Sequence, residues 1–281
     1  DYTPKYRLID NPDYPTNDLA VATYNLMDYG VDNTGKKDCT ATINTLLKKL
    51  NGVTGLGTIG SYRYITGGVL YIPAGRYLVT GQIQVPRGVT IRGDWKKPDG
   101  KSPLQGTILV VQPKASSTGV TDESKAAVVM QPTSEISNLT FWYPDQTVGN
   151  VTPYPPTVRY GYDGYWGNDY CNVRHCTFVN SYIGIKFSEK NGGGCPNIFD
   201  VYGTPLSEGV VMDMIADVGR FDHLSFSPKY WANSGLEGAP SEGALRAVTR
   251  AGATAFVMRR NDWSYTCLLY TSPSPRDYAA S

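Results

Sequence analysis

Only two histidines, His175 and His223, occur in this chain of 281 residues, and both open the same four-residue phrase. His175-Cys-Thr-Phe178 and His223-Leu-Ser-Phe226 align with Asn138-Leu-Thr-Phe141 and Asp200-Val-Tyr-Gly203. The phrase ends advance by 37, 25 and 23 residues, the first step leaving room for one turn plus a loop. Ile183-Gly-Ile-Lys-Phe187 and Gly209-Val-Val-Met-Asp213 form a second series 26 residues apart. Repeats of this period imply a solenoid. Side chains alternate along a strand, so Leu139, Cys176, Val201 and Leu224 share an inner side with Phe141, Phe178, Gly203 and Phe226. Asn138, His175, Asp200 and His223 then form an outer column, flanked by Thr140, Thr177, Tyr202 and Ser225. With rungs about 4.8 Å apart, column neighbours touch. In that arrangement Asp200 and His223 are the candidate catalytic pair, His223 as acid or base and Asp200 one rung below orienting it. His175 and Tyr202 are the adjacent candidate substrate contacts.

A second chemical feature is the stretch Tyr143–Tyr170, which carries Tyr154, Tyr160, Tyr162, Tyr165, Trp166 and Tyr170 with Asp163 and Asp169. Rings beside carboxylates suit sugar subsites, so Asp163, Tyr165 and Trp166, with Trp142 just ahead, join the substrate contacts. The competing reading is a loop that packs on the solenoid flank with its own aromatics. Glycosidases need two carboxylates across the scissile bond. The candidates are Asp200, Asp213, Asp222, Asp262, Asp163 and Asp169, and no pair stands out by spacing. Lys96, Lys97 and Lys101 in the loop Asp94–Gly106 would meet an acidic sugar, or be an ordinary solvated cluster. No metal site is expected: Cys39, Cys171, Cys176 and Cys195 form no CxxC pair, and histidine is scarce. A Cys171–Cys195 or Cys176–Cys195 disulfide would suit a secreted protein; thiols stacked inside rungs are the alternative.

Composition narrows the classes. A formal net charge of +1 argues for neither nucleic acid nor an anionic membrane surface. No apolar run approaches membrane-spanning length. Twenty-one Tyr and five Trp against seven Phe favour half-exposed strand positions and surfaces that grip hydrated ligands.

The elements that position these residues are legible in outline. Asp1–Ala22 is a polar, Pro-rich extended arm. Thr40–Leu50 reads as a helix capped by Asp38 or Thr40, with Ile43, Leu46, Leu47 and Leu50 on one face to close the open end of a solenoid. Gly67–Gly93 holds three short apolar runs, Val69–Ile72, Tyr77–Val79 with Ile83 and Val85, and Val89–Ile91, punctuated by Gly and Pro, and the alternation in Gln82–Val85 and Val89–Arg92 reads as strands with one face buried. Pro228–Gly252 is an insertion with a helical Gly243–Arg250, and Ala255–Trp263 is a last rung whose Arg259, Arg260 and Asp262 read as a surface ion cluster.

GGVLYIPAGRYLV (67–79) followed by VPRGVTIRGD (85–94) resembles the opening of the pectate-lyase-like superfamily of right-handed parallel β-helices. Asp28-Tyr29-Gly30-Val31-Asp32 and Asp38-Cys39-Thr40-Ala41 are similar to its lead-in, departing at Asn33-Thr34-Gly35 and at Cys39. The resemblance covers about the first third of the chain. It implies an all-β, right-handed parallel β-helix with an N-terminal capping helix, and it is shared by hydrolases, lyases, epimerases and phage tailspikes. The expected organisation is an arm over 1–23, a β-helix over 24–266 that continued further, and a non-native tail over 267–281. Cys267–Asp277 (CLLYTSPSPRD) resembles a translated sequencing adapter.

The resemblance further implies a glycoside hydrolase acting on a polysaccharide such as a β-glucan or pectin-like chain. The flavour closest to it is the laminarin-degrading exo-glucanases, whose catalytic acid lies late in the chain. The alternatives are a polysaccharide lyase, the one case in which calcium would be a cofactor, and a non-catalytic glycan-binding tailspike or adhesin. The expected partner is a polysaccharide, not nucleic acid or membrane, and the expected state is a monomer, extracellular or periplasmic.

Overall fold

The computed structural model describes residues 7–16, 20–51, 67–113, 123–161 and 170–271. The short strands of the Gly67–Gly93 stretch form as expected: Gly68–Ile72, Gly75–Val79, Ile83–Val85 and Val89–Gly93. They do not pair as hairpins. Gly68–Ile72 lies parallel to Val89–Gly93, one turn of the chain later. Gly75–Val79 lies parallel to Thr107–Val111, and Ile83–Val85 to Val128–Met130. Each turn therefore lays one strand on each of three faces, which is the parallel β-helix the repeats call for.

From Glu135 onward the first two faces are served by single strands: Glu135–Trp142, Asn172–Phe178, Asn197–Gly203, Arg220–Phe226 and Tyr265–Thr271. Leu139, Cys176, Val201 and Leu224 are aligned rung to rung in these ladders, and all four are buried. Phe141 and Phe178 stack beside them, ring centroids 5.0 Å apart and planes 11° from parallel. The third face comprises Ile83–Val85, Val128–Met130, Val158–Tyr160, Ile183–Gly194, Glu208–Ala216 and Thr254–Met258.

The outer column exists, but simple alternation does not make it. Asn138, His175, Asp200 and His223 all have left-handed backbone, with φ of 60°, 52°, 56° and 53°. The paired register skips each of them. They are the corners where a strand bends from the first face to the second. Consequently the inner residues sit three apart across the bend: Ile136 with Leu139, Val173 with Cys176, Ile198 with Val201, Phe221 with Leu224. Asn, Asp and His are the non-glycine residues that best tolerate this conformation, so the polar column has a backbone cause as well as any chemical one.

Helix α1 (Thr40–Asn51) closes the N-terminal end, with Ile43, Leu46, Leu47 and Leu50 joined to the core. Asp38 secures its start, accepting hydrogen bonds from the Thr40 amide at 3.0 Å and the Thr80 hydroxyl at 2.5 Å. In the arm, Arg7–Ile9 pairs antiparallel with Ala20–Ala22. The insertion after Phe226 forms α2 (Lys229–Ala232) and α3 (Glu242–Gly252), which bury Trp231 and Leu245 in a second cluster outside the solenoid.

One expectation changes. Tyr143–Tyr170 is not wholly an insertion, because Val158–Tyr160 within it is that turn's third-face strand. Its Tyr154 packs on buried Tyr143 at 4.8 Å, and Tyr160 is itself buried. The strand Tyr265–Thr271 runs through the boundary expected before Cys267, pairing Leu269 with Leu224. No disulfide forms: all five cysteines are free thiols, and Cys39, Cys171 and Cys176 are buried.

Two measurements probe this arrangement. If Asn138 serves the bend, Asn138→Val should cost about 1–2 kcal/mol in a urea titration while Asn138→Gly stays close to neutral. An equal loss from both would contradict that role. Burial raises the Asp38 carboxyl, but hydrogen bonds from Thr40 and Thr80 outweigh it and hold the group down to about 2. A lowered folded-state value stabilises above the ordinary carboxylate range and fades as pH falls through the folded value. The Tm gap between the parent and Asp38→Asn should therefore be constant above about pH 5 and shrink from about pH 4 downward. A gap independent of pH would remove Asp38 from the acid response.

Candidate functional site

The corner column becomes a site because one loop folds over it. Residues 94–106 leave the first face after Val89–Gly93 and return at Thr107, so they occupy the corner of that turn. The loop is closed at its base by a bridge between Trp95 and Gly106. Its far side rests on the α2 region: Asn233 donates to the Gly100 carbonyl at 2.8 Å, and the Leu104 amide to Ser234 at 2.9 Å. This holds Trp95, Lys96 and Lys97 above the column.

Trp95 stacks on His175 at 5.6 Å with planes 24° apart, and its indole N–H donates to the Thr177 hydroxyl at 2.8 Å. Lys97 Nζ lies 3.4 Å from Asp200 Oδ1 and 5.2 Å from the centre of the Tyr202 ring. The Tyr202 hydroxyl donates to Asp200 Oδ1 at 2.6 Å, and His175 Nε2 is 3.8 Å from the other carboxylate oxygen. Burial, and then the Asp200 carboxylate, push the Tyr202 phenol well above its ordinary value, so it remains a donor across the physiological range. Asp200 is thus a carboxylate with a cation, a hydroxyl donor and an imidazole around it.

Phe199, the residue before Asp200, continues the rings along the solenoid axis. It is 38% exposed and meets His175 at 5.7 Å and His223 at 5.4 Å, edge to face in both cases. Trp95, His175, Phe199 and His223 therefore form an unbroken run of rings. At its end His223 Nδ1 lies 2.9 Å from Asp222 Oδ1, close enough for an ion pair although the angle is poor for a hydrogen bond. The two groups are neighbours without a hydrogen bond, and Nε2 is the ring's second functional nitrogen. Beside the rings is a cleft of about 470 Å³, bounded by Thr16 of the arm, Lys96, Asn138, Arg174, His175 and Asp200. Arg174 is tied to Glu135 at 2.8 Å.

The structure brings together Asp200, His175, Tyr202 and His223, with different partnerships from those expected. His223 lies beside Asp222, its chain neighbour, and Asp200 is met by Tyr202, Lys97 and His175. Tyr202, only 5% exposed, supports Asp200 and is not an open contact surface. Trp142 is likewise buried, under Arg76 in the second cluster, and has no face to offer a ligand. Asp163, Tyr165 and Trp166 lie outside the described residues. Phe199 and Asp222 in this role were missed; their signal was a ring and an acid at outward positions directly before two corner residues. Among the described residues no three His, Cys, Asp or Glu side chains converge. With Lys97 beside Asp200 and Asp222 set against His223, the described column does not fit the calcium that a lyase reading implies.

Residues 23–143 match the family model Rhamnogalacturonase A/epimerase, pectate lyase-like. The match supports a pectate-lyase-like parallel β-helix for these turns. No curated protein matches the sequence. The chain is similar in structure to the mannuronan C-5 epimerase AlgE4 A-module of Azotobacter vinelandii, with a TM-score of 0.47 and 15% identity over 73% of this chain and 53% of that one. A candidate glycosyl hydrolase from Parabacteroides merdae ATCC 43184 gives 0.44 and 13%, over 89% and 95%. DFA-IIIase from Arthrobacter chlorophenolicus A6, in a C387A form bound to DFA-III, gives 0.39 and 15%, over 73% and 59%. The chain thus spans little more than half of the epimerase module and of DFA-IIIase.

The Asp222–His223 pair makes a spectroscopic prediction. In ¹⁵N NMR, neutral His223 should be protonated on Nδ1, and Asp222→Ala should shift it toward the Nε2–H tautomer. An unchanged tautomer would show that Asp222 does not orient the ring.

Proposed function

We propose that this chain is a carbohydrate-active enzyme that holds a polysaccharide along the corner column and hydrolyses it there. The observation that carries the reading is the run of rings Trp95, His175, Phe199 and His223, with the Asp200 carboxylate at its centre. Sugar CH faces stack on such rings while hydroxyls hydrogen-bond to the neighbouring polar groups. The pectate-lyase-like match over residues 23–143 supports the same substrate class.

In this reading Asp200 is the general base. Lys97 and the Tyr202 hydroxyl flank it while it draws a proton from water. His223, beside Asp222, acts as the imidazolium: its Nε2–H proton passes to the leaving oxygen as the glycosidic bond breaks, and water that has lost a proton to Asp200 takes the anomeric carbon. Secretion to the polysaccharide is part of the same proposal; no described helix is long and apolar enough to cross a membrane. A second reading is favoured by Lys96, Lys97 and Arg174 around one cleft. These cations would neutralise the carboxylate of an acidic sugar, and His175 or His223 would abstract the proton beside it, giving elimination or epimerisation.

A reducing-end assay on a panel of neutral and acidic polysaccharides tests both. Asp200→Asn and His223→Ala should each lower kcat by about two orders of magnitude or more. New reducing ends without ultraviolet-absorbing unsaturated ends support hydrolysis, and unsaturated ends move the assignment to elimination. Retention on a polysaccharide gel with no product of either kind, and no epimerised sugar, would reduce the chain to a binding module.

A further inference from the structure

The residue before Trp95 is Asp94, a carboxylate only 4% exposed, at the junction of three segments. From the first-face strand Gly68–Ile72 it receives the Tyr71 hydroxyl, at 2.9 Å and 2.8 Å from its two oxygens, and from the turn after it the Ala74 amide at 2.8 Å. From the arm it receives the Asn11 side-chain amide at 3.0 Å. Its own backbone is clamped to Thr107, where the loop returns: Asp94 N–H donates to the Thr107 hydroxyl at 2.9 Å, and the Thr107 amide donates to Asp94 O at 2.8 Å. The Thr107 hydroxyl in turn donates to the Ile72 carbonyl at 2.7 Å, closing the circuit onto the first face.

Both walls of the cleft start from this point. On one side the chain proceeds directly to Trp95 on His175 and Lys97 beside Asp200. On the other, Asn11 fixes the arm segment that carries Tyr14 and Thr16; Tyr14 lies under Lys96 at 5.3 Å and Thr16 lines the cleft. A buried carboxylate is tolerated only when its lone pairs are met by donors, and these donors come from elements that would otherwise be independent. We infer that Asp94 is the positioning residue of the site, joining the arm, the first turn and the root of the loop so that Trp95 lies over His175 and the cleft keeps its width. It touches no substrate and acts through Trp95 and the arm. Its bearing on sugar binding rests on the proposed function; the positional claim rests on these contacts alone.

The test separates the two. The near-ultraviolet circular dichroism of Trp95, isolated by subtracting a Trp95→Phe spectrum in each background, reports its fixed stacking on His175. Asp94→Asn keeps the shape but places an amide among donors, so the Trp95 band should be lost and retention on a polysaccharide gel should fall. Asp200→Asn should keep the band, and Asn11→Ala, which frees only the arm, should keep most of it. If Asp94→Asn fails to fold, Tyr71→Phe removes one donor and should weaken the band. A folded Asp94→Asn, or failing that Tyr71→Phe, with an unchanged Trp95 band overturns the positioning role, whatever the gel shows. Loss of the band in a protein whose parent ignores polysaccharide would uphold Asp94 and remove the glycan reading instead.

Discussion

Every turn from Glu135 onward has to bend between two faces without losing its register with the turns on either side. The bend is made by one residue of left-handed backbone, at Asn138, His175, Asp200, His223 and Leu268 in successive rungs. Because it recurs at one height in the repeat, the ladders resume in step beyond it, and Leu139, Cys176, Val201 and Leu224 meet in a dry column. A left-handed L-residue costs roughly 1–2 kcal/mol relative to ordinary conformations, less for Asn and Asp, whose short side chains bond locally. Hydrogen-bonded ladders and buried apolar area on both sides of each corner offset that cost. The same bend throws the corner side chains outward, away from the core and toward whatever covers the edge.

How much of this could be read from the chain follows from where the information is local. The rung period, the inner residues and the capping helix were legible because each is a repeated or periodic apolar signal. Leu139 and its counterparts keep their type from turn to turn. The corner column was located but misread as the outward half of a straight strand. Sequence alternation cannot distinguish an outward residue from a left-handed one, and Asn, Asp and His satisfy both. The strand Val158–Tyr160 was hidden because three residues after Pro155 and Pro156 carry almost no pattern.

The candidate site was less legible for a different reason. Its partnerships are made by a loop from an earlier turn, and no repeat predicts where Lys97 or Trp95 will fall. The pairing of Asp200 with Tyr202 and Lys97, instead of with His223, depends on that loop and on the α2 region behind it. Tyr202 and Trp142 looked available because Tyr and Trp prefer interfaces. Each lies beneath added structure in the folded chain, one beside Tyr230 and the other beneath Arg76. The groups that organise the site are thus spread over four turns, while the groups that hold the fold are stacked in place.

The left-handed corner also bears on how such a molecule can change over generations. A position whose backbone is left-handed and whose side chain faces away from the interior holds Asn, Asp, His and, in the last rung, Leu above the same winding. Lineages can therefore exchange acid, base and neutral amide along this edge one rung at a time. Chemistry can drift while the architecture is inherited intact.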